Sequence, residues 1–339
     1  MRWLVLFSSL VSAAAQPRQD LMADTLAAQR RYLEADAAYS ELLHSKPDAP
    51  EILLKRGAIR MCLGRYTEAR TDLEDSLAKA PSQVGLGSAH AQLGLLEQIQ
   101  GRYAAAIHHH LIALQLKQEA HGPRDPTIGV TWNRLGEAYL ASGSITKAGE
   151  AIAAALRILT ASRGNDFHLC MAHVNAGRVF LEQRRFAEAA ESLEQARESG
   201  TEENGCTAMI ASGLGHLHSA QRDFAQAEAS FRESIRIGQR LWPDGHMTTA
   251  GALQGLARVA AARKRFDEAR ELFQESLEMD ERVLGPTHPD VREVLLDLAA
   301  LLQTAHRGRE ARRIAARIRR DFPGSLNSIS VNALAGGKM

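Results

Sequence analysis

The chain is poor in helix breakers, in cysteine and in aromatic residues. Of its 339 residues 10 are proline, 3 are cysteine and 5% are aromatic. Scarce proline leaves long helices uninterrupted. An odd number of cysteines excludes a fully paired intramolecular set. A formal net charge of +1 excludes a global field toward nucleic acid or anionic lipid. The longest apolar stretch, Leu4 to Ala15, has 12 residues, short of the roughly 20 that a spanning helix needs. Common catalytic and phosphate-binding signatures are missing too: no Gly-x-Ser-x-Gly, no His-Glu-x-x-His, no Gly-x-x-x-x-Gly-Lys and no calcium loop.

What is present favours helix. Apolar residues make up 45% and charged residues 24%, and alanine, leucine, glutamate and arginine dominate. The first residues read as an export signal: Arg2 supplies the positive start, "LVLFSSLV" from Leu4 the apolar core, and Ala13 to Ala15 the small residues before a cut. The expectation is a signal peptide over 1–15, removed near Ala15, and an exported mature chain with no transmembrane helix. Its loss leaves 40 basic residues (41 less Arg2) against 40 acidic. The alternative is a cytosolic chain in which that segment stays and which serves as a regulator's sensing module.

One phrase recurs. "KRFDEARELFQESL" from Lys264 matches "GRYTEARTDLEDSL" from Gly64, "RRFAEAAESLEQAR" from Arg184 and "RDFAQAEASFRESI" from Arg222. Aligned on its alanine, the phrase returns at Ala35, Ala69, Ala106, Ala148, Ala189, Ala227, Ala269 and Ala311, at gaps of 34, 37, 42, 41, 38, 42 and 42 residues. A steady period of this size marks a repeat array rather than one compact core. Twelve residues before each alanine stands Ala23, Gly57, Gly94, Gly136, Gly177, Gly215, Ala257 or Ala299. Three before it stands an aromatic or a substitute: Tyr32, Tyr66, Tyr103, Ile145, Phe186, Phe224, Phe266 and Gly308. Four after it the residue is mostly large and apolar, from Tyr39 and Leu73 to Phe231 and Phe273, with His110 the polar exception and Ala315 the small one.

Spacings of three and four put such residues on one helical face. Trp132, Leu135, Gly136 and Tyr139 share one face, "SGS" at 142–144 interrupts, and Ala148, Ile152, Ala155 and Leu156 resume. That is a helix, a tight turn and a second helix. The glycine and alanine columns let two backbones approach, and a larger side chain there would overpack.

These columns resemble the tetratricopeptide repeat: large residue, Leu-Gly, Tyr, then Ala, aromatic, Ala and Pro, with Pro47, Pro81 and Pro323 closing three units. The gaps near 42 and the stretch "ERVLGPTHPDV" from Glu281 resemble the long-helix repeats of the kinesin light chain type. The resemblance implies an all-α fold: an α-solenoid of about eight stacked helix-turn-helix repeats in a right-handed superhelix. The repeats fall near 18–50, 51–84, 85–126, 127–167, 168–205, 206–247, 248–290 and 291–323, with a fraying tail over 324–339. It also implies a non-catalytic scaffold whose first helices line a concave groove that binds other proteins or peptides. Register with the glycine column puts Asn133, Glu137, Arg178, Glu182, His216, Gln254 and Arg258 near that groove. The family's Lys and Asn carboxylate clamp is not matched. An enzyme with a groove site is the catalytic alternative, for which no nucleophile, base and orienting group can be named together.

The remaining chemistry-bearing residues take structural roles. His108, His109 and His110 fan around one helix at about 100° per residue, so they do not converge on one ion. His110 and His218 occupy apolar columns. No metal, cofactor or nucleic-acid partner is expected. Cys170 and Cys206 sit near the starts of adjacent first helices, whose axes lie about 8–10 Å apart, beyond the roughly 7 Å limit for bridged Cα atoms. Free buried thiols are expected. From His306 to Phe322 seven arginines stand against one Glu and one Asp. They serve either a solvated outer face on the last helix or an anionic partner or membrane surface. The partner's identity and the oligomeric state are not written in the sequence.

Overall fold

The computed structural model describes residues 20–162, 166–199 and 204–323. The expected signal segment over 1–15 and the tail over 324–339 lie outside them. Sixteen helices and no strand occur among the described residues. They run α1 (20–28), α2 (Tyr32–Ser45), α3 (Pro50–Cys62), α4 (Tyr66–Lys79), α5 (Gln83–Ile99), α6 (Tyr103–His121), α7 (Pro126–Ala141) and α8 (Ile145–Thr160). They continue with α9 (Asp166–Glu182), α10 (Phe186–Glu198), α11 (Gly205–Ala220), α12 (Phe224–Leu241), α13 (Met247–Ala262), α14 (Phe266–Leu284), α15 (Pro289–Thr304) and α16 (Gly308–Asp321). Odd-numbered helices are the first of each pair and even-numbered helices the second. The chain divides into two compact units between Leu135 and Gly136, inside α7.

Every pair is joined by the same turn. The residue five before each column alanine has a positive φ: Arg30, Gly64, Gly101, Gly143, Arg184, Arg222, Lys264 and His306, between 58° and 76°. The next N–H then donates back to a carbonyl five residues earlier, as Arg65 to Arg60, Arg185 to Phe180 and Arg265 to Ala260 do at 2.8–2.9 Å. This is the left-handed helix ending that caps otherwise unpaired carbonyls. Five of the eight turns place a side chain where glycine is favoured, at a cost of about 1–2 kcal/mol each. The flanking helices hold them there.

The small columns do what their spacing predicts. A Cβ built on Gly136 would lie 2.5 Å from Ile152, and one on Gly215 2.6 Å from the Phe231 ring. Gly57 faces Leu73, Gly94 faces His110 and Gly177 faces Leu193 in the same way. The second-helix residue four past the alanine therefore lies flat on the first helix of its own pair. Column alanines Ala69, Ala106, Ala148, Ala189, Ala227 and Ala269 are fully buried, and Ala311 nearly so. The next first helix covers the other side. Phe231 also meets Gly255 of α13, where a Cβ would come to 2.5 Å, and Leu193 meets Gly213 of α11 at 2.8 Å. A further column, three residues beyond, went unread in the sequence. Ser76, Ser234 and Ser276 are buried and donate to the carbonyls of Pro50, Ala208 and Ala250 at 2.7–2.9 Å. The hydroxyl ties each second helix to its first and is itself satisfied in the buried interface.

Gly251, also in α13, has nothing within 4 Å of a built Cβ. Gly251→Ala should raise stability by about 0.5–1 kcal/mol through helix propensity alone. Gly215→Ala should lower it by roughly 1–3 kcal/mol, because the ring between two helices cannot retreat. Urea unfolding checks both, and midpoints moving in the same direction would refute the close-approach account.

Candidate interaction surface

Within the second unit, the residues eleven before the column alanine are polar on four successive first helices, Glu137, Arg178, His216 and Arg258, and give way to Ala300 on α15. None belongs to a packing column. Arg178, His216 and Arg258 are exposed, whereas Glu137 is 7% exposed. The fully buried Asn175 explains the difference. Its Nδ2 donates to Glu137 Oε1 at 2.9 Å, and its Oδ1 accepts from Arg178 Nη1 at 3.4 Å. A carboxylate, an amide and a guanidinium thus form a line from α7 across α9.

Arg258 is committed. Its Nε donates to Asp297 Oδ2 at 2.7 Å and its Nη2 to Glu293 Oε1 at 2.6 Å, while Gln254 Nε2 donates to Asp297 at 2.9 Å. Four polar residues of α13 and α15 therefore satisfy one another. Arg178 has no carboxylate within ion-pair distance among the described residues, so its charge faces the surface.

His216 lies between these two systems, with its ring edge-on to Phe231 at 5.0 Å. It keeps accessible surface, yet its pKa is pushed down to about 4. Loss of hydration among the surrounding atoms is the first cause, and the charges of Arg258 and then Arg178 add to it. At neutral pH the imidazole is uncharged and offers one donor and one acceptor.

The other predicted positions stand apart. Glu182 is exposed in the last turn of α9. Asn133 belongs to the first unit's part of α7 and is buried, at 6% exposed, so it offers little to a ligand. Sequence reasoning passed over Asn175, Glu293 and Asp297. A signal existed: Asn175 and Asp297 both stand fourteen residues before their column alanines.

The cysteines correct an expectation. Cys170 of α9 and Cys206 of α11 form a disulfide, with Cα atoms 6.4 Å apart. The expectation of free thiols compared axis separation with Cα separation. Cα atoms sit about 2.3 Å off the axis, so those facing each other come nearer than the axes do. Cys62 remains free and exposed at the end of α3.

His110 is buried over Gly94, as its column predicts. His90 Nδ1 of α5 lies 2.9 Å from His109 Nδ1 of α6. Burial lowers both pKa values, and His109 and His108 add to the effect at His90. No group of three or more His, Cys, Asp or Glu is placed to hold a metal among the described residues.

These features define a class: an α-solenoid protein of stacked helix-turn-helix repeats with a polar wall on its first helices. Tetratricopeptide repeat models match residues 21–84, 85–161, 127–202, 167–240 and 248–321. The chain belongs to the tetratricopeptide repeat family. No curated protein matches its sequence. Among solved structures it is similar to the APC/C hetero-tetramer Cut9–Hcn1, at TM-score 0.65 and 14% identity over 94% of this chain. It spans 54% of the length of that matched chain. It is also similar to the Rap protein complexed with competence and sporulation factor, at TM-score 0.63 and 15% identity, covering 95% of this chain and 94% of that one. At these identities the likeness concerns the fold.

Two outcomes follow. Non-reducing digestion should release a linked Cys170–Cys206 peptide, and reduction should lower stability by about 2–4 kcal/mol for a loop of this size; unchanged stability on reduction would remove the bridge from the account. The buried Asp280 of α14 has its pKa raised to about 7, first by burial and then by Asp290 and Glu293. Its folded pKa exceeds its unfolded value, so its contribution is complete at acid pH and is lost as pH rises toward 7. Asp280→Asn should flatten the stability–pH curve between about 4 and 7, as thermal melts across that range would show; an unaltered slope would contradict the assignment.

Proposed function

We propose that the chain is an exported, non-catalytic scaffold that holds segments of other proteins against the first-helix wall of its second unit. The observation that carries this reading is Arg178. It is an exposed guanidinium in the middle of the wall, fixed by buried Asn175, with a neutral imidazole on one side and a buried carboxylate on the other. A folded protein gains little from holding an uncompensated charge there, and a ligand group completes the set. The wall supplies donors and acceptors at a helical repeat spacing, which suits an extended or helical polypeptide reading several repeats in turn. Both structural neighbours are in complexes, Cut9 with Hcn1 and Rap with competence and sporulation factor, and this supports the reading by analogy of fold. Export is supported by the N-terminal sequence pattern and by the disulfide, since such bonds persist in oxidising compartments.

A photo-crosslinking residue at Arg178 or Glu182, in protein expressed in its native host, should capture the same partner. One at Glu191 or Glu194, exposed on α10, should not. Labelling of the same partners from both faces would overturn the wall assignment. Arg178→Glu should weaken capture from Glu182 by about tenfold, the scale of one lost charge-assisted contact.

A further inference from the structure

The last helix carries a second surface with a different chemistry. On α16 the residues Ala311, Ala315 and Ile318 are buried, with Ile314 partly buried, in the core with α15. Opposite them Arg309, Arg312, Arg313, Arg319 and Arg320 are all exposed. At about 100° per residue these five fall within an arc of roughly 120°, and Arg309 to Arg320 span about 16 Å along the axis.

The helix's own acidic groups answer only one arginine of the row. Glu310 pairs with Arg307, and Asp321 pairs with Arg317 and Arg320. Arg317 also reaches Glu281 of α14. Arg309, Arg312, Arg313 and Arg319 have no carboxylate within 4 Å among the described residues. Residues 324–339 hold no acidic residue that could answer them.

A terminal helix needs a polar outer face to stay soluble, but solubility does not ask for one sign of charge. The outer side of α14 shows the opposite choice, with exposed Glu271, Glu275 and Glu278. We propose that the arginine face of α16 docks on an anionic lipid surface.

Two features favour lipid over other polyanions, while the guanidinium forks suit any phosphate. The row is straight and solvated, so no single carboxylate gains much from one of its arginines, whereas a leaflet meets all of them at once. Guanidinium forks match phosphate oxygens in pairs. The stripe holds no aromatic side chain on which a nucleobase could stack. No described helix is long and apolar enough to cross a membrane, and the apolar face of α16 is already buried, so attachment is electrostatic and peripheral. Each basic side chain near an anionic leaflet raises binding about fivefold.

The test is co-sedimentation of the purified chain with phosphatidylcholine vesicles, with and without phosphatidylglycerol. Binding should require the anionic lipid and fall steeply as the Debye length shrinks from about 10 Å at 0.1 M salt to about 3 Å at 1 M. Arg312→Gln, Arg313→Gln and Arg319→Gln together should cut binding about a hundredfold, while circular dichroism stays unchanged, since Gln matches Arg in helix propensity. The same three positions changed to Lys should keep binding within several-fold. Equal binding to neutral vesicles, an unaffected Gln variant, or displacement from vesicles by an equal charge of duplex DNA would each overturn the proposal. Crosslinking from Glu182 is read in the same proteins, so loss of vesicle binding with partner capture intact separates this surface from the groove wall.

Discussion

A single contact sets the geometry of the second unit: a large side chain of a second helix held between glycines of two first helices. Phe231 touches Gly215 within its own pair and Gly255 of the next; Leu193 does the same with Gly177 and Gly213. The side chain buries almost completely without a larger neighbour to interlock with. The glycines sacrifice helix propensity, about 0.5–1 kcal/mol each, for an approach no other residue allows. Intra-pair and inter-pair packing are thereby coupled through one residue. At these two steps a pair cannot shift against its neighbour without also losing its own internal contact, so stacking register there is set within the repeats themselves.

Charge adds a second layer of register in the first unit. Asp36 of α2 pairs with Arg60 of α3 at 3.0 Å, and Arg70 of α4 pairs with Glu97 of α5 at 2.5 Å. Each pair links the residue after a column alanine to the residue nine before the next one, but the signs are exchanged. If the first pair of helices stacked on the third, acid would meet acid. Partly buried ion pairs add little net stability, but removing one partner is costly. Their value here is in refusing wrong neighbours. The turns extend this logic. The residue after each left-handed position is arginine in six of eight turns, and Arg65 and Arg265 reach back to Asp36 and Glu228 in the preceding pair.

The repeat was legible because it is written in size. Alanine and glycine columns, aromatic positions and periods of 34 to 42 residues follow from helix geometry and need no knowledge of distant contacts. The turns at Arg30, Arg184, Arg222, Lys264 and His306 were not legible, because neighbouring helices impose a conformation those residues do not prefer. The disulfide was missed for a related reason: spacing places Cys170 and Cys206 on adjacent helices, but only the rotation of each helix brings their Cα atoms to face each other. The wall was half legible. Arg178, His216 and Arg258 are exposed where column register puts them, while Glu137 turned inward once Asn175 offered it an amide. Polar partners are chosen across helices, and a single helix's pattern carries no record of them.

That division bears on how such a chain comes to recognise anything. Positions that pack are nearly uniform from repeat to repeat, since a change of one methylene is felt throughout a close-packed stack. Positions eleven before the alanine vary among Asp, Ala, Leu, Glu, Arg and His. At Glu137, Arg178 and Arg258 the polar side chain is anchored by a neighbour's amide or carboxylate rather than by the core. Arg258 illustrates one limit, fully answered by Asp297 and Glu293. Arg178 illustrates the other, held in place by Asn175 but not neutralised. A side chain that is positioned yet electrostatically unanswered loses little entropy on meeting a ligand and gains its charge interaction in full. In the recognition we propose, specificity resides where the repeat stops constraining the sequence, and its strength comes from the buried amide behind the exposed cation.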